Sequence, residues 1–239
     1  MKVGEIVGEA LDYPGSDLNK VLILGILNLI SFLIIPVFLV VGYNLRVLKA
    51  TIAGFDELPD FDEWGDMLID GLKVLVVGIV YMLIPIIIIF GGVFLANANP
   101  TAGIIVGVIG IILAIIFGLV EQIAIAHMAF NDRLGAAFQV GEILNVISEI
   151  SWIKYIIWII GVAIIQLGAL NVTLFAFYII LIPAFLAFGA AAIAQIATEI
   201  ATTGLIIVLI ILGLILYLFV IPYLQIFYAR ALGRLYADR

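Results

Sequence analysis

The chain contains no cysteine and a single histidine, His127, among its 239 residues. Disulfides, thiolate metal sites and thiol nucleophiles are excluded, and so is a histidine-rich metal centre. Charge is scarce: Asp, Glu, Lys and Arg make up 11% of the residues, against 66% hydrophobic, with a mean hydropathy of +1.37. A soluble domain of this length with that surface would not stay dissolved. The net charge of −7 and a pI near 4.5 argue against nucleic acid as a partner and leave no polybasic patch for lipid headgroups. Hydrolytic and nucleotide-dependent chemistry lacks its motifs, since the chain has no HExxH, GxSxG or Walker loop. The sequence therefore predicts neither an enzyme nor a cofactor. The N-terminus is amphipathic and acidic, not a basic region before a short apolar run, which argues against a signal peptide.

What is present is apolar sequence in long blocks. Residues 21 to 45 carry no charge, 74 to 132 carry only Glu121 and Asp132, and 155 to 229 carry only Glu199. A bilayer core takes roughly 20 apolar helical residues to cross. The pattern predicts an all-α, polytopic integral membrane protein in one domain, 1 to 239. Its apolar segments lie near 21–43, 72–95, 103–130, 153–169, 171–197 and 203–228, nominally six transmembrane helices within a range of five to eight. The multi-pass reading implies a cell-membrane location with the lipid bilayer as its first partner. Within 21–43, Pro36 marks either a kink in one span or the tip of a short hairpin. Gly103 and Gly107 form a small-xxx-small pair that permits close helix approach.

Amphipathic interfacial helices are expected before the hairpins, near 3–12, 60–71 and 138–151. In the first, Val3, Ile6, Val7, Ala10 and Leu11 share one face opposite Glu5 and Glu9. Tyr13-Pro14-Gly15 ends it and Ser16-Asp17 supplies the next cap. In the second, Asp60 or Asp62 serves as N-cap, acids complement the helix dipole, and Trp64, Met67, Leu68 and Leu72 form an apolar stripe. In the third, Ile143, Leu144, Ile147 and Ile150 oppose Glu142, Asn145 and Glu149.

The Lys and Arg residues fall in clusters at 2 and 20, 46–73, 133–154 and 230–239. Six spans would divide them evenly across the membrane, whereas a hairpin at Pro36 and an even number of later crossings would put all ten on one side. Leu134-Gly135-Ala136-Ala137-Phe138 and Leu232-Gly233-Arg234-Leu235-Tyr236 share a Leu-Gly-x-x-aromatic pattern, which reads as a faint internal repeat.

Several short stretches carry a resemblance. Ala10-Leu11-Asp12-Tyr13-Pro14, Gly42-Tyr43 with Arg46, Asp56-Glu57-Leu58-Pro59-Asp60-Phe61, Trp64-Gly65 and Asp70-Gly71-Leu72-Lys73 resemble a multi-pass membrane family catalogued as domain of unknown function 4013, found largely in archaea. The resemblance is strongest through residue 85. It implies a polytopic helical fold and supplies no reaction, substrate or functional residue.

Two groups of residues stand out as candidate sites. Glu121, Gln122, Gln166 and Glu199 form a possible intramembrane polar path, because ionisable and amide side chains are costly in lipid and usually face protein or water. The bland alternatives are an interfacial carboxylate at Glu121 and an aqueous loop around Glu199. Trp64, Met67, Asp60, Asp62 and Glu63 form a possible interfacial contact, with solvated helix-capping acids as the cheaper reading. His127 reads as an interfacial histidine near Asn131 and Arg133. The leading expectation is a non-enzymatic scaffold or accessory factor that meets a membrane-protein partner, or a second copy of itself, through its acidic segments. The competing expectation is a small secondary transporter or channel.

Overall fold

The computed structural model describes residues 1–193 and 198–239, and in them the chain is helical apart from short turns and the longer connection over 53–63. Helix α1 (Val3–Asp12) buries Ile6, Val7 and Ala10, and a turn of 3-10 helix containing Pro14 follows it. Asp17 then caps α2 (Leu18–Leu29), its Oδ1 accepting from the Asn19 and Lys20 backbone N–H groups at 3.0 and 3.3 Å. The 12 residues of α2 extend roughly 18 Å, too short for a hydrocarbon core of about 30 Å. The chain reverses over residues 30–34, where Phe32 is 78% exposed and Ile34 adopts φ 70°. It then returns as α3 (Ile35–Ile52).

The first apolar segment is thus a hairpin. Its tip lies just before Pro36, which occupies the first turn of α3, where a missing N–H costs no hydrogen bond. Both ends of the hairpin reach the same charged layer: Lys20 lies 2.8 Å from Asp60 at one end, and Arg46 lies 2.5 Å from Asp62 at the other.

Residues 55–63 are not helical, and α4 runs without interruption from Trp64 to Ala96. The separate interfacial helix expected at 60–71 is therefore not formed. Asp60 and Asp62 pair with Lys20 and Arg46 in place of capping a helix. Tyr13 and Tyr43 donate their hydroxyls to the Glu57 and Pro59 carbonyls at 2.9 and 3.1 Å, which ties this stretch to the turn after α1 and to α3. Glu63 takes the capping position with φ 44° and makes no side-chain cap.

Helix α5 (Pro100–Asn131) returns antiparallel to α4 after Asn99 caps it through the Ala102 N–H at 3.1 Å. Glycine sets how closely these helices approach. A Cβ on Gly92 would lie 2.5 Å from the Gly107 nitrogen, and one on Gly71 would overlap the Phe38 carbonyl of α3.

A 3-10 turn (Leu134–Phe138) leads into α6 (Val140–Ile150), which buries Ile143, Val146, Ile147 and Ile150 against the protein. Helix α7 (Trp152–Ile193) is continuous through Asn171, whose side chain donates 2.7 Å to the Leu167 carbonyl one turn back. The division expected between segments 153–169 and 171–197 does not occur, because the Asn171 amide is satisfied within its own helix. After α8 (Thr198–Ile215), one π-helical turn (Leu216–Val220) leads into α9 (Ile221–Ala237). Among the described residues five helices are long and apolar enough to cross a membrane, against the nominal six; α2 is shorter.

The two Leu-Gly-x-x-aromatic stretches adopt different structures, 3-10 helix at 134–138 and α-helix at 232–236. They do not mark a structural repeat. With α2 and α3 paired, and α4/α5 and α7/α9 each leaving and returning, all ten basic residues lie at one end of the bundle. Lys49 bridges Asp70 and Asp132 at 2.7 and 2.6 Å, and Lys154 meets Asp238 at 2.7 Å. Arg239 stacks on the Phe130 and Tyr236 rings.

Candidate functional site

Beneath this charged layer, α3, α4, α5, α7 and α9 surround a partly open cavity of about 440 Å³. Its walls are mainly aliphatic, but Asn44, Gln122, Gln166, Gln225 and Tyr228 interrupt them. No charged side chain lines it among the described residues. A second cavity of about 280 Å³ between α5 and α7 shares Gln122, Gln166 and Tyr228 with the first and adds Trp158.

The polar groups are held by their own helices and by each other. Asn28 on α2 and Gln225 on α9 exchange two amide hydrogen bonds at 3.0 and 3.1 Å. The Tyr228 hydroxyl donates to Gln122 Oε1, and Tyr155 donates 2.6 Å to the Leu119 carbonyl. Asn44 spends its Nδ2 on the Val40 carbonyl at 2.9 Å, which fixes the amide orientation and leaves Oδ1 without a partner among the described residues. Trp158, 1% exposed, likewise has no acceptor there for its Nε1 proton.

Of the residues expected to form an intramembrane path, Gln122 and Gln166 meet at the shared wall of the two cavities. Glu121 does not line either. It faces α4, with Oε1 3.4 Å from where a Cβ on Gly78 would sit, ten residues or roughly 15 Å along α5 from Asn131. The Glu199 side chain lies outside the described residues. Asn44, Gln225, Tyr228 and Trp158 were missed. The signal available for Asn44 and Gln225 was an isolated amide in otherwise apolar sequence.

The expected interfacial group is split. Met67 is 1% exposed, packed against Gly42 of α3, while Trp64 is 45% exposed. Asp60, Asp62 and Glu63 lie in the charged layer as partners of Lys20 and Arg46. His127 is buried, with Nδ1 2.7 Å from the Tyr236 hydroxyl.

The centre of the charged layer is Arg230, 2% exposed. It donates to the Phe55 carbonyl at 2.6 Å, to Glu9 at 2.9 Å and to Asp56 at 2.6 Å, and lies over the Tyr13 ring at 4.2 Å. Arg234 also donates to Glu9 and Asp56. The hydrogen bond from Arg230 holds the Asp56 carboxyl below its usual range, and those from Lys20 and Lys154 do the same for Asp60 and Asp238. Burial pushes the Tyr13 phenol up.

Residues 24–176, well over half of the chain, match the family described as Protein of unknown function (DUF4013). The chain belongs to that family. The DUF4013 match takes in Asn44, Val74, Gln122 and Gln166 of the cavity wall, whereas Gln225 and Tyr228 lie beyond it. The chain is also 31% identical to "Uncharacterized protein MJ1189" of Methanocaldococcus jannaschii over 163 residues, 64% of this chain and 56% of that protein. The chain thus matches little more than half the length of this relative. No solved structure matches the chain.

Proposed function

We propose that this DUF4013 protein is a non-enzymatic membrane transporter for a small uncharged molecule. The observation that supports this reading is the cavity itself: four amides and a phenol converge in aliphatic surroundings at the junction of five helices, with no charged side chain in the lining among the described residues. Pockets of roughly 300–1,000 Å³ with a few placed polar groups are the usual form of a small-molecule site. An ion or charged solute would find no counter-charge, and an unpaired charge buried in such surroundings is strongly disfavoured. The second cavity carries the path between α5 and α7 to Ala114, roughly 26 Å along α5 from Asn131. By the positive-inside rule the layer holding all ten basic residues faces the cytoplasm, and the cavity lies just beneath it.

Native mass spectrometry of the tagged protein released from its own membranes tests this. The expected result is a small-molecule adduct bound one to one, lost from a Gln122→Leu, Gln225→Leu variant. A stoichiometric protein partner with no small-molecule adduct would overturn it.

A scaffold role is the second reading. It rests on Phe55 and Trp64, 64% and 45% exposed beside the exposed acids Glu57, Glu63 and Asp66 at the charged face. It takes second place because α1, α6 and Met67 turn their apolar surfaces inward, leaving less to offer a partner. A Phe55→Ser, Trp64→Ser variant that keeps an unchanged set of co-purifying membrane proteins would remove it.

A further inference from the structure

Glu121 is the ionisable group that the cavity reading leaves unused. It is the one Asp, Glu, Lys or Arg between Val74 and Asn131, on a helix long and apolar enough to cross the membrane. Its carboxylate faces α4 at Gly78, roughly 7.5 Å along that helix from Lys73, the only basic residue α4 carries.

A carboxylate at such a level is met by a counter-ion, by hydrogen-bond donors or by a proton. Among the described residues Glu121 pairs with no Lys, Arg or His and accepts no hydrogen bond. The cations of the neighbouring helices are committed elsewhere: Lys73 to Asp70 at 2.8 Å, and Lys49 of α3 to Asp70 and Asp132. The phenols of Tyr81 on α4 and Tyr228 on α9 lie in the field of the Glu121 charge. They donate to the Ala137 carbonyl and to Gln122 instead. Glu142 and Glu149 of α6 are exposed, the turn 134–138 brings no ionisable side chain, and His127 of α5 is bonded to Tyr236 and Asn131. That leaves the proton.

The link to the cavities is short. Gln122, the next residue, lines both of them and accepts from Tyr228, which also lines both. The Glu121 charge therefore acts on one partner of that bond, and its backbone carries the other.

We propose that Glu121 is a proton-binding site whose uptake and release of one proton drives the passage of the neutral solute. The proton adds to a carboxylate oxygen from water on one side and returns to water on the other, one for each solute carried. An uncharged solute offers the membrane potential nothing to act on, and the proton supplies that charge. This assignment rests on the transporter reading and names what drives it.

The test uses the full chain in phosphatidylcholine nanodiscs and two carboxyl reagents. Dicyclohexylcarbodiimide enters apolar surroundings and reacts with protonated carboxyls, whereas a water-soluble carbodiimide with glycine ethyl ester labels acids open to water. Peptide mass spectrometry should find the first reagent on Glu121, with labelling that falls as pH rises, and the second absent from it. Failure of dicyclohexylcarbodiimide to label Glu121, or equal labelling by both reagents, overturns the proton site.

Coupling to the cavity is read from Trp158, whose ring lies 6.0 Å from that of Tyr228 in the wall of the smaller cavity. The chain has 3 tryptophans, so Trp64→Phe with Trp152→Phe leaves Trp158 as the sole emitter. Its fluorescence should titrate with pH, and Glu121→Gln should remove that titration while leaving the melting temperature near the parent's. A titration of unchanged size in Glu121→Gln assigns the response to another group, such as His127, and overturns the coupling. Neither readout needs the solute. If both succeed and native mass spectrometry finds no small-molecule adduct, the proton site stands, while the transporter reading falls and solute coupling falls with it.

Discussion

Tyr228 on α9 donates its hydroxyl to Gln122 on α5, and both side chains line the two cavities at once. The bond fixes the distance between α5 and α9 where the charged layer gives way to the apolar interior. Tyr228→Phe keeps the ring and removes the donor. It should cost about 1 kcal/mol of stability and leave Gln122 to turn into the cavity. A thermal melt in nanodiscs and the rate at which a small neutral probe exchanges would check this, with faster exchange expected.

Arg230 is the variant expected to be most damaging. It is buried, and it joins α1, the 53–63 connection and α9 through three acceptors and an aromatic face. Arg230→Ala should cost about 3 kcal/mol, typical of breaking one side of a buried charged network. Arg230→Lys should recover little of it, since an ammonium cannot reproduce the planar fork that serves several acceptors while lying on Tyr13. Melting temperatures of the two variants beside the parent would decide the matter.

Acid should loosen the charged layer. Asp56, Asp60 and Asp238 have folded-state pKa values below the unfolded value of 3.8, held there by Arg230, Lys20 and Lys154. A depressed carboxyl contributes stability that is fully present above the unfolded value and is lost as pH falls through the folded one. Melting temperature should therefore stay level from pH 7 to about pH 5 and fall below about pH 4. Asp56→Asn should lower the plateau slightly and shallow the acid limb.

Glycines that look alike in the sequence should respond differently to a methyl group. At Gly71 a Cβ would overlap the Phe38 carbonyl, so Gly71→Ala must push α3 and α4 apart, at about 2–3 kcal/mol. At Gly107 a Cβ meets nothing within 4 Å, so Gly107→Ala should be neutral or gain up to about 1 kcal/mol from helix propensity. Thermal melts of the paired variants would check this, and equal responses would contradict the packing described.

The α4–α5 pair was legible from the sequence because two long apolar runs flank a short uncharged turn, and nothing else satisfies backbone groups in lipid so simply. The reversal at 30–34 was only one of two readings, since hydropathy counts apolar residues and is blind to direction. The helix expected at 60–71 failed because acids serve equally well as caps or as ion-pair partners, and only the fold brings Lys20 and Arg46 alongside. Asn171 misled for a related reason: in an apolar run an amide looks like a break until its hydrogen bond to Leu167 is seen. Gln122 and Gln166 stood out as polar residues in lipid-spanning sequence. Their meeting with Tyr228 and Gln225 depends on helices far apart in the chain.

The hairpin of α2 and α3 bears on how the protein enters its membrane. Both its ends stay at the charged face, and the α4–α5 turn sends across only Asn97, Ala98 and Asn99, none of them charged. In this half of the molecule no charged side chain has to be carried to the far face, although Glu121 of α5, facing α4, has to enter the apolar layer. With both ends of each hairpin on one side and no charge at the far turns, insertion of this half as paired helices from that side requires no transfer of a charged loop across the membrane.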